Sequence, residues 1–239
     1  MTIYVFDMDG TLTPARLPME DDFAIKFCEW QKNHKSFIAT GSDYKKIEEQ
    51  LPLSVINSFI GIYSSMGNVL SQHGNVIYQK NFTPEPDLIV RLEKYRSETK
   101  YPNQLFDNYI EYRLGMINFS ILGRNCPYAE RERYSAWDKQ NLERQSIATE
   151  LKGIFPQYDF AVGGSISIDI TPVGCGKEQI ARHLRKTYPN EKIIFFGDKT
   201  FVGGNDYELA EELKKMSNTL VVQVDTPKAV LEFLLNKGF

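Results

Sequence analysis

The sequence predicts an α/β fold on a parallel sheet, with a smaller α+β domain inserted into it. Short apolar runs alternate with helical patterns at both ends of the chain, as βαβ units do. Three of those runs end in small polar residues or carboxylates. Between Pro84 and Pro172 the pattern changes to paired strands and separate helices, the mark of an antiparallel layer.

The core opens with Ile3-Tyr4-Val5-Phe6, a buried-type strand running into Asp7-Met8-Asp9-Gly10-Thr11-Leu12-Thr13. Residues 20–34 read as a helix, with Phe23, Phe27 and Trp30 on one face. A strand at 36–39 leads into Thr40-Gly41-Ser42-Asp43, and a helix follows over 44–51. Residues 58–64 read as a strand and 67–78 as a hairpin turning at His73-Gly74-Asn75. Pro84 and Pro86 then mark a junction, because proline ends regular pairing.

In the insert, a helix is expected over 87–99 and strands over 108–113 and 116–122, with Leu114-Gly115 between them. A long charged helix over 128–155 follows, then strands at 160–162 and 165–171 around Gly163-Gly164. Two strand pairs and two helices would close this domain. Pro172 to Gly176 marks the return. The core resumes with a helix over 177–188 and a strand over 193–196 ending in Gly197-Asp198-Lys199-Thr200. Gly203-Gly204-Asn205-Asp206 opens another helix, a strand covers 220–224 and a last helix 226–235. The expected division is a core of 1–81 with 173–239 and an insert of 82–172.

Composition narrows the function. A chain of 239 residues holds one large domain or two modest ones. The net charge of -3 and a pI of about 5.7 argue against a nucleic-acid or anionic-membrane partner, which would demand a basic excess. No apolar run approaches the ~18 residues of a membrane span. The opening stretch has neither a basic nor a long apolar region of the secretory kind, so a cytoplasmic protein is expected. Cys28, Cys126 and Cys175 are scattered and read as reduced thiols. His34, His73 and His183 show no metal-ligand spacing.

The chemistry gathers at strand ends. Asp7 and Asp9, two apart on extended backbone, can face one small volume where open α/β sheets bind ligands. Adjacent carboxylates repel unless they share a proton or a cation. Thr40, Gly41 and Ser42 offer hydroxyl and N–H donors at a helix start, a pattern suited to phosphate. Asp198 supplies a third carboxylate for a hydrated Mg²⁺, and Lys177 would offset the negative charge near a nucleophile. In the insert, Arg113, Arg124 and Arg131 could fork around an anion held away from that metal. Ser167 and Asp169, two apart on a strand, could face sugar hydroxyls.

The run from Asp7 to Thr13, followed in order by Ser42, Lys177 and Asp198, resembles the four motifs of the haloacid dehalogenase (HAD) superfamily, whose core is Rossmann-like. Further segments make the chain similar to the eukaryotic-type phosphomannomutase family. These are Asp7 through Arg16, Gly41-Ser42-Asp43, Arg113 through Asn118, Gly123-Arg124, Glu130-Arg131, Ser167-Ile168-Asp169, and Phe195 through Thr200 with Gly203 through Asp206. The resemblance implies Asp7 as the phosphorylated nucleophile and Asp9 as the acid/base. Arg16, Arg113, Arg124, Arg131, Ser167 and Asp169 would hold the hexose phosphate. Asp7, Asp9 through its carbonyl, Asp198 and Asp206 would form the Mg²⁺ set.

It also implies a cap-like insert with a cleft, interconversion of mannose 6-phosphate and mannose 1-phosphate for GDP-mannose biosynthesis, a hexose 1,6-bisphosphate activator, and a homodimer through the cap. The alternatives are a sugar-phosphate phosphatase on the same core and a non-catalytic sugar-phosphate binder, the latter disfavoured by intact Asp7, Asp9 and Asp198. The chain departs from the family pattern at Ser65-Met66-Gly67, Ile121, Cys175-Gly176 and 209–213.

Overall fold

The structure, a computed structural model, describes residues 1–236. The chain forms two compact units, Met1–Gln79 together with the chain from Gly174 onward, and Lys80–Val173.

The first unit is built on a seven-stranded sheet. Its strands are β1 (Thr2–Phe6), β2 (Lys35–Ala39), β3 (Gly61–Ser64), β4 (Val69–Gln72), β5 (Asn75–Gln79), β10 (Lys192–Gly197) and β11 (Thr219–Gln223). They lie in the order β11-β10-β1-β2-β3-β4-β5. The strands from β11 to β3 are parallel, and the β4–β5 hairpin continues the sheet antiparallel. Side chains alternate between two apolar layers. Tyr4, Phe6, Ile38 and Phe196 join Phe27 and Trp30 of α1 (Asp21–Gln31) on one face. Ile3, Val5, Phe37 and Phe195 join residues of α7 (Glu178–Thr187) and α8 (Tyr207–Lys214) on the other. The remaining helices here are α2 (Tyr44–Gln50), α3 (Leu53–Ser58) and α9 (Pro227–Asn236).

β1 lies between β2 and β10, so the chain leaves it toward one side and returns on the other. That reversal is the switch point at which open α/β sheets bind their ligands. Phe6 pairs with both Ile38 and Phe196, and Asp7 N–H donates to Phe196 O at 2.9 Å. Three neighbouring strands therefore stop at nearly one level, and their next residues carry the polar groups.

The second unit has one four-stranded antiparallel sheet in the order β6-β7-β9-β8. Its strands are β6 (Ile110–Arg113), β7 (Met116–Phe119), β8 (Tyr158–Gly163) and β9 (Ser167–Pro172). Three helices accompany it: α4 (Pro86–Ser97), α5 (Tyr128–Asn141) and α6 (Glu143–Ile154). Leu88, Leu92, Phe119, Tyr134, Leu151 and Ile168 share its buried core.

Two expectations are corrected. The single helix over 128–155 is broken at Leu142, which adopts left-handed backbone (φ 53°). Asp138 holds the break: its Oδ1 accepts the Arg144 N–H at 3.0 Å, and its Oδ2 takes the Arg144 Nε at 2.7 Å, both side chains buried. The insert thus has three helices rather than two. The strand expected over 58–64 starts only at Gly61, because Pro52 opens α3 before it and its carbonyl takes the N–H groups of Val55 and Ile56. Proline at a helix start sacrifices no hydrogen bond.

Candidate active site

Asp7 follows β1, is almost fully buried, and shares a proton-rich contact with Lys177 at the start of α7. Lys177 Nζ lies 2.6 Å from Asp7 Oδ1 and 2.6 Å from Asp206 Oδ1, with both partners and the lysine buried. Burial alone would push the Lys177 ammonium down; Asp206 and Asp7 outweigh it and hold it above its ordinary value. Burial, and then the neighbouring Asp206, push Asp7 up to about 7 against the pull of Lys177.

Asp198 follows β10. Oxygens of Asp7, Asp198 and Asp206 lie within 4.8 Å of one another. Asp198 Oδ2 pairs with Lys199 Nζ at 2.9 Å. Asp7 Oδ2 and Asp198 Oδ1 are buried with no hydrogen-bond partner among the described residues. Orphaned carboxylate oxygens in a dry site demand an explanation, and a hard cation supplies one. The donor set fits Mg²⁺. Gly10 is required beside it: its φ is +91°, and a Cβ there would lie 2.4 Å from Asp198 Oδ2.

Asp9 stands outside that acidic group. Its Oδ1 accepts the Arg16 N–H at 2.7 Å, and its Oδ2 accepts the Ser42 hydroxyl at 3.4 Å. The Asp9 side chain is thereby directed to the loop after β2, while Arg16, exposed and left-handed (φ 64°), contributes its backbone to this arrangement. In that loop Ser42 N–H donates to Thr40 Oγ1 at 3.1 Å, which leaves the threonine proton free to donate elsewhere. Gly41 lies between them.

In the second unit the side chains expected to meet are brought together on one face. Glu111 Oε2 accepts from Arg113 Nη2 at 2.7 Å and from Arg124 Nε at 2.6 Å. Arg124 Nη1 also donates to Asn118 Oδ1 at 2.7 Å and Ser167 Oγ at 3.2 Å. Asn118 in turn donates to Asp169 Oδ1. Arg131 Nη2 reaches Arg124 O at 3.4 Å, while Glu130 beside it pairs with Arg133 instead. Burial pushes the Arg124 guanidinium down; Glu111 supports its charge, and Arg113 and Arg131 oppose it. Burial raises Asp169 against Asn118, Arg113 and Arg124. The Arg113 Nε is buried without a partner among the described residues. Arg113 and Arg124 share the Glu111 carboxylate, and Arg131 and Asp169 stand beside Arg124; three guanidiniums against two carboxylates leave an anion-seeking cluster.

Sequence reasoning overlooked several of these groups. Glu111 and Arg113 stand two apart on β6, so their shared face was open to the same alternation argument that joined Ser167 to Asp169. Asn118 sat inside a noted stretch without a role. Arg144, whose Nη1 donates to the carbonyls of Gly163, Gly164 and Ser167 and so fixes the turn that presents Ser167, carried no signal.

The fold is that of haloacid dehalogenase-like proteins. A haloacid dehalogenase-like hydrolase from Bacteroides thetaiotaomicron superposes with a TM-score of 0.62 at 12% identity, covering 98% of each chain. An IMP-bound Plasmodium falciparum IMP-nucleotidase shares the fold at a TM-score of 0.64 and 15% identity, with 99% of this chain and 68% of that chain covered. The sequence narrows this much further. The model of the eukaryotic phosphomannomutase family matches residues 25–236. A Saccharomyces cerevisiae phosphomannomutase is 34% identical over 97% of this chain and 93% of its own length. A Spinacia oleracea phosphomannomutase is 34% identical over 98% and 96%. The chain belongs to the eukaryotic phosphomannomutase family.

Proposed function

We propose that the protein interconverts mannose 6-phosphate and mannose 1-phosphate through a phosphoryl group carried on Asp7. The observation that supports a mutase best is the guanidinium cluster of Arg113 and Arg124, paired with Glu111, and Arg131 beside Arg124. A mutase needs a holder for the phosphate that is not being transferred, whereas a phosphatase acting on a sugar monophosphate needs none.

The Asp7 carboxylate attacks a phosphoryl group of a hexose bisphosphate, forming an aspartyl phosphate as the bond from phosphorus to the sugar oxygen breaks, while Lys177 holds Oδ1 and fixes the carboxylate's orientation. Thr40, Gly41 and Ser42, with Lys177, receive the transferring oxygens. Asp9, held by Arg16 N–H, protonates the departing sugar oxygen and later takes the proton from the accepting hydroxyl. Asp7, Asp198 and Asp206, with the Asp9 carbonyl by family resemblance, would hold Mg²⁺, which when bound neutralises charge on the phosphoryl oxygens. Arg113, Arg124 and Arg131 bind the other phosphate, Ser167 and Asp169 meet sugar hydroxyls, and Arg16 is a further substrate contact by family resemblance. The hexose 1,6-bisphosphate primer and a dimer through the insert rest on the family alone, and the cytoplasmic location on the scattered cysteines.

The test is incubation with Mg²⁺, mannose 1-phosphate and a catalytic amount of hexose 1,6-bisphosphate. Mannose 6-phosphate is the expected product; release of inorganic phosphate alone, or no turnover, overturns the mutase assignment.

A further inference from the structure

A strained turn stands beside the loop after β2. Ser65, Met66 and Gly67 all have positive φ, at 49°, 62° and 86°. Two consecutive non-glycine residues in this region are rare, and such strain persists only where the surroundings enforce it. Glycine is needed at 67 itself, since a Cβ there would lie 2.6 Å from Ile180 Cγ1. Ser65 and Met66 have no such steric excuse, so their conformation must be held by other bonds.

Every carbonyl of the turn is engaged. Asn68 Nδ2 donates to Ser65 O at 2.9 Å, Gln179 Nε2 to Met66 O at 2.9 Å, and the Tyr78 hydroxyl to Gly67 O at 3.0 Å. Gln179 Nε2 also reaches Asn68 Oδ1 at 3.1 Å, and both amides meet Cys175 O, at 2.8 and 3.2 Å. Asn68 and Gln179 are both buried. The turn's own N–H groups point the other way. Ser65 N–H donates to Ser42 O at 2.9 Å and Met66 N–H to Thr40 O at 3.0 Å. A Cβ on Gly41 would lie 3.1 Å from Met66 Sδ, so the thioether backs the loop closely. The strained turn therefore clamps the backbone of residues 40–42.

Gln179 is two residues beyond Lys177, at the start of the same helix. The amide relay thus ties the Lys177 end of the site to the loop after β2. We propose that Gln179 and Asn68 are positioning residues that hold Ser65 and Met66 in left-handed backbone and so fix Thr40–Ser42 for phosphoryl transfer. This rests on assigning that loop to the transferring phosphate, as above.

The test compares wild type, Gln179→Met, and Gln179→Met combined with Met66→Gly, all assayed well below their melting temperatures. Two readouts are used: amide hydrogen exchange of the segment containing residues 40–42, and kcat and KM with hexose phosphate. Gln179→Met is expected to speed that exchange and to lower kcat/KM on the order of tenfold. Met66→Gly, which relieves the backbone strain, is expected to restore both in the double variant. Unchanged exchange in Gln179→Met overturns the clamp. Faster exchange with unchanged kcat/KM, or a loss that Met66→Gly does not restore, overturns the positioning role. If Gln179→Met does not fold, Asn68→Ala opens the turn from its other side and is read by the same criteria. If wild type turns over no hexose phosphate, the functional assignment fails, and the exchange result still decides the clamp.

Discussion

Lys177 Nζ lies 2.6 Å from Asp7 Oδ1, both side chains buried, while Asp7 Oδ2 meets no hydrogen-bond donor among the described residues. One oxygen of this carboxylate is thus anchored and the other left bare. Asp7→Asn removes the nucleophile without changing the shape. Loss of turnover on the order of 10⁴-fold or more is expected, with a melting temperature equal to or above wild type in metal-free buffer. Turnover within tenfold of wild type would rule Asp7 out.

The same burial sets a pH dependence. In the metal-free folded protein Asp7 titrates at about 7, against an ordinary value of 3.8. Between these values the folded state holds a proton that the unfolded chain has lost. Its contribution to stability therefore falls as pH rises from about 4 to about 7. This is read as the melting-temperature difference between wild type and Asp7→Asn across that range in chelator. A cation competes with the proton, so added Mg²⁺ should raise the wild-type melting temperature more at pH 8 than at pH 5.5. A larger increment at pH 5.5 would contradict the assignment of Asp7 to the metal set.

Lys177→Met leaves Asp7 and Asp206 facing each other without a cation. A destabilisation of ~3–5 kcal/mol at pH 8 in chelator is expected, because one partner of a buried pair is gone. Denaturant unfolding checks it, and a loss under about 1 kcal/mol would overturn the role of Lys177 in offsetting the two buried carboxylates.

Arg124→Ala separates the two anion sites. Mutase turnover of a hexose phosphate is expected to fall far more than hydrolysis of a small aryl phosphate, which carries no second phosphate. Equal losses on both substrates would remove the insert arginines from substrate binding.

Much of the core site was legible because β-strand ends print their chemistry directly after an apolar run. Asp7 after Phe6, Thr40 after Ala39 and Asp198 after Gly197 need only strand register to meet. Asp206 came with the family motif, since nothing local points a helix-opening aspartate back to Lys177. The break at Leu142 was hidden because a leucine in left-handed backbone has no propensity signature; the bonds between Asp138 and Arg144, six residues apart across it, impose it. The Asn68 and Gln179 relay was equally hidden, for it joins residues more than a hundred positions apart.

The most direct test follows one phosphoryl group. The protein is loaded with hexose 1,6-bisphosphate labelled in the transferred phosphate, then chased with unlabelled hexose monophosphate. Label is expected first on Asp7 and then, after the chase, back on sugar as bisphosphate. Label that never reaches Asp7, or that leaves it only as inorganic phosphate, would contradict the relay.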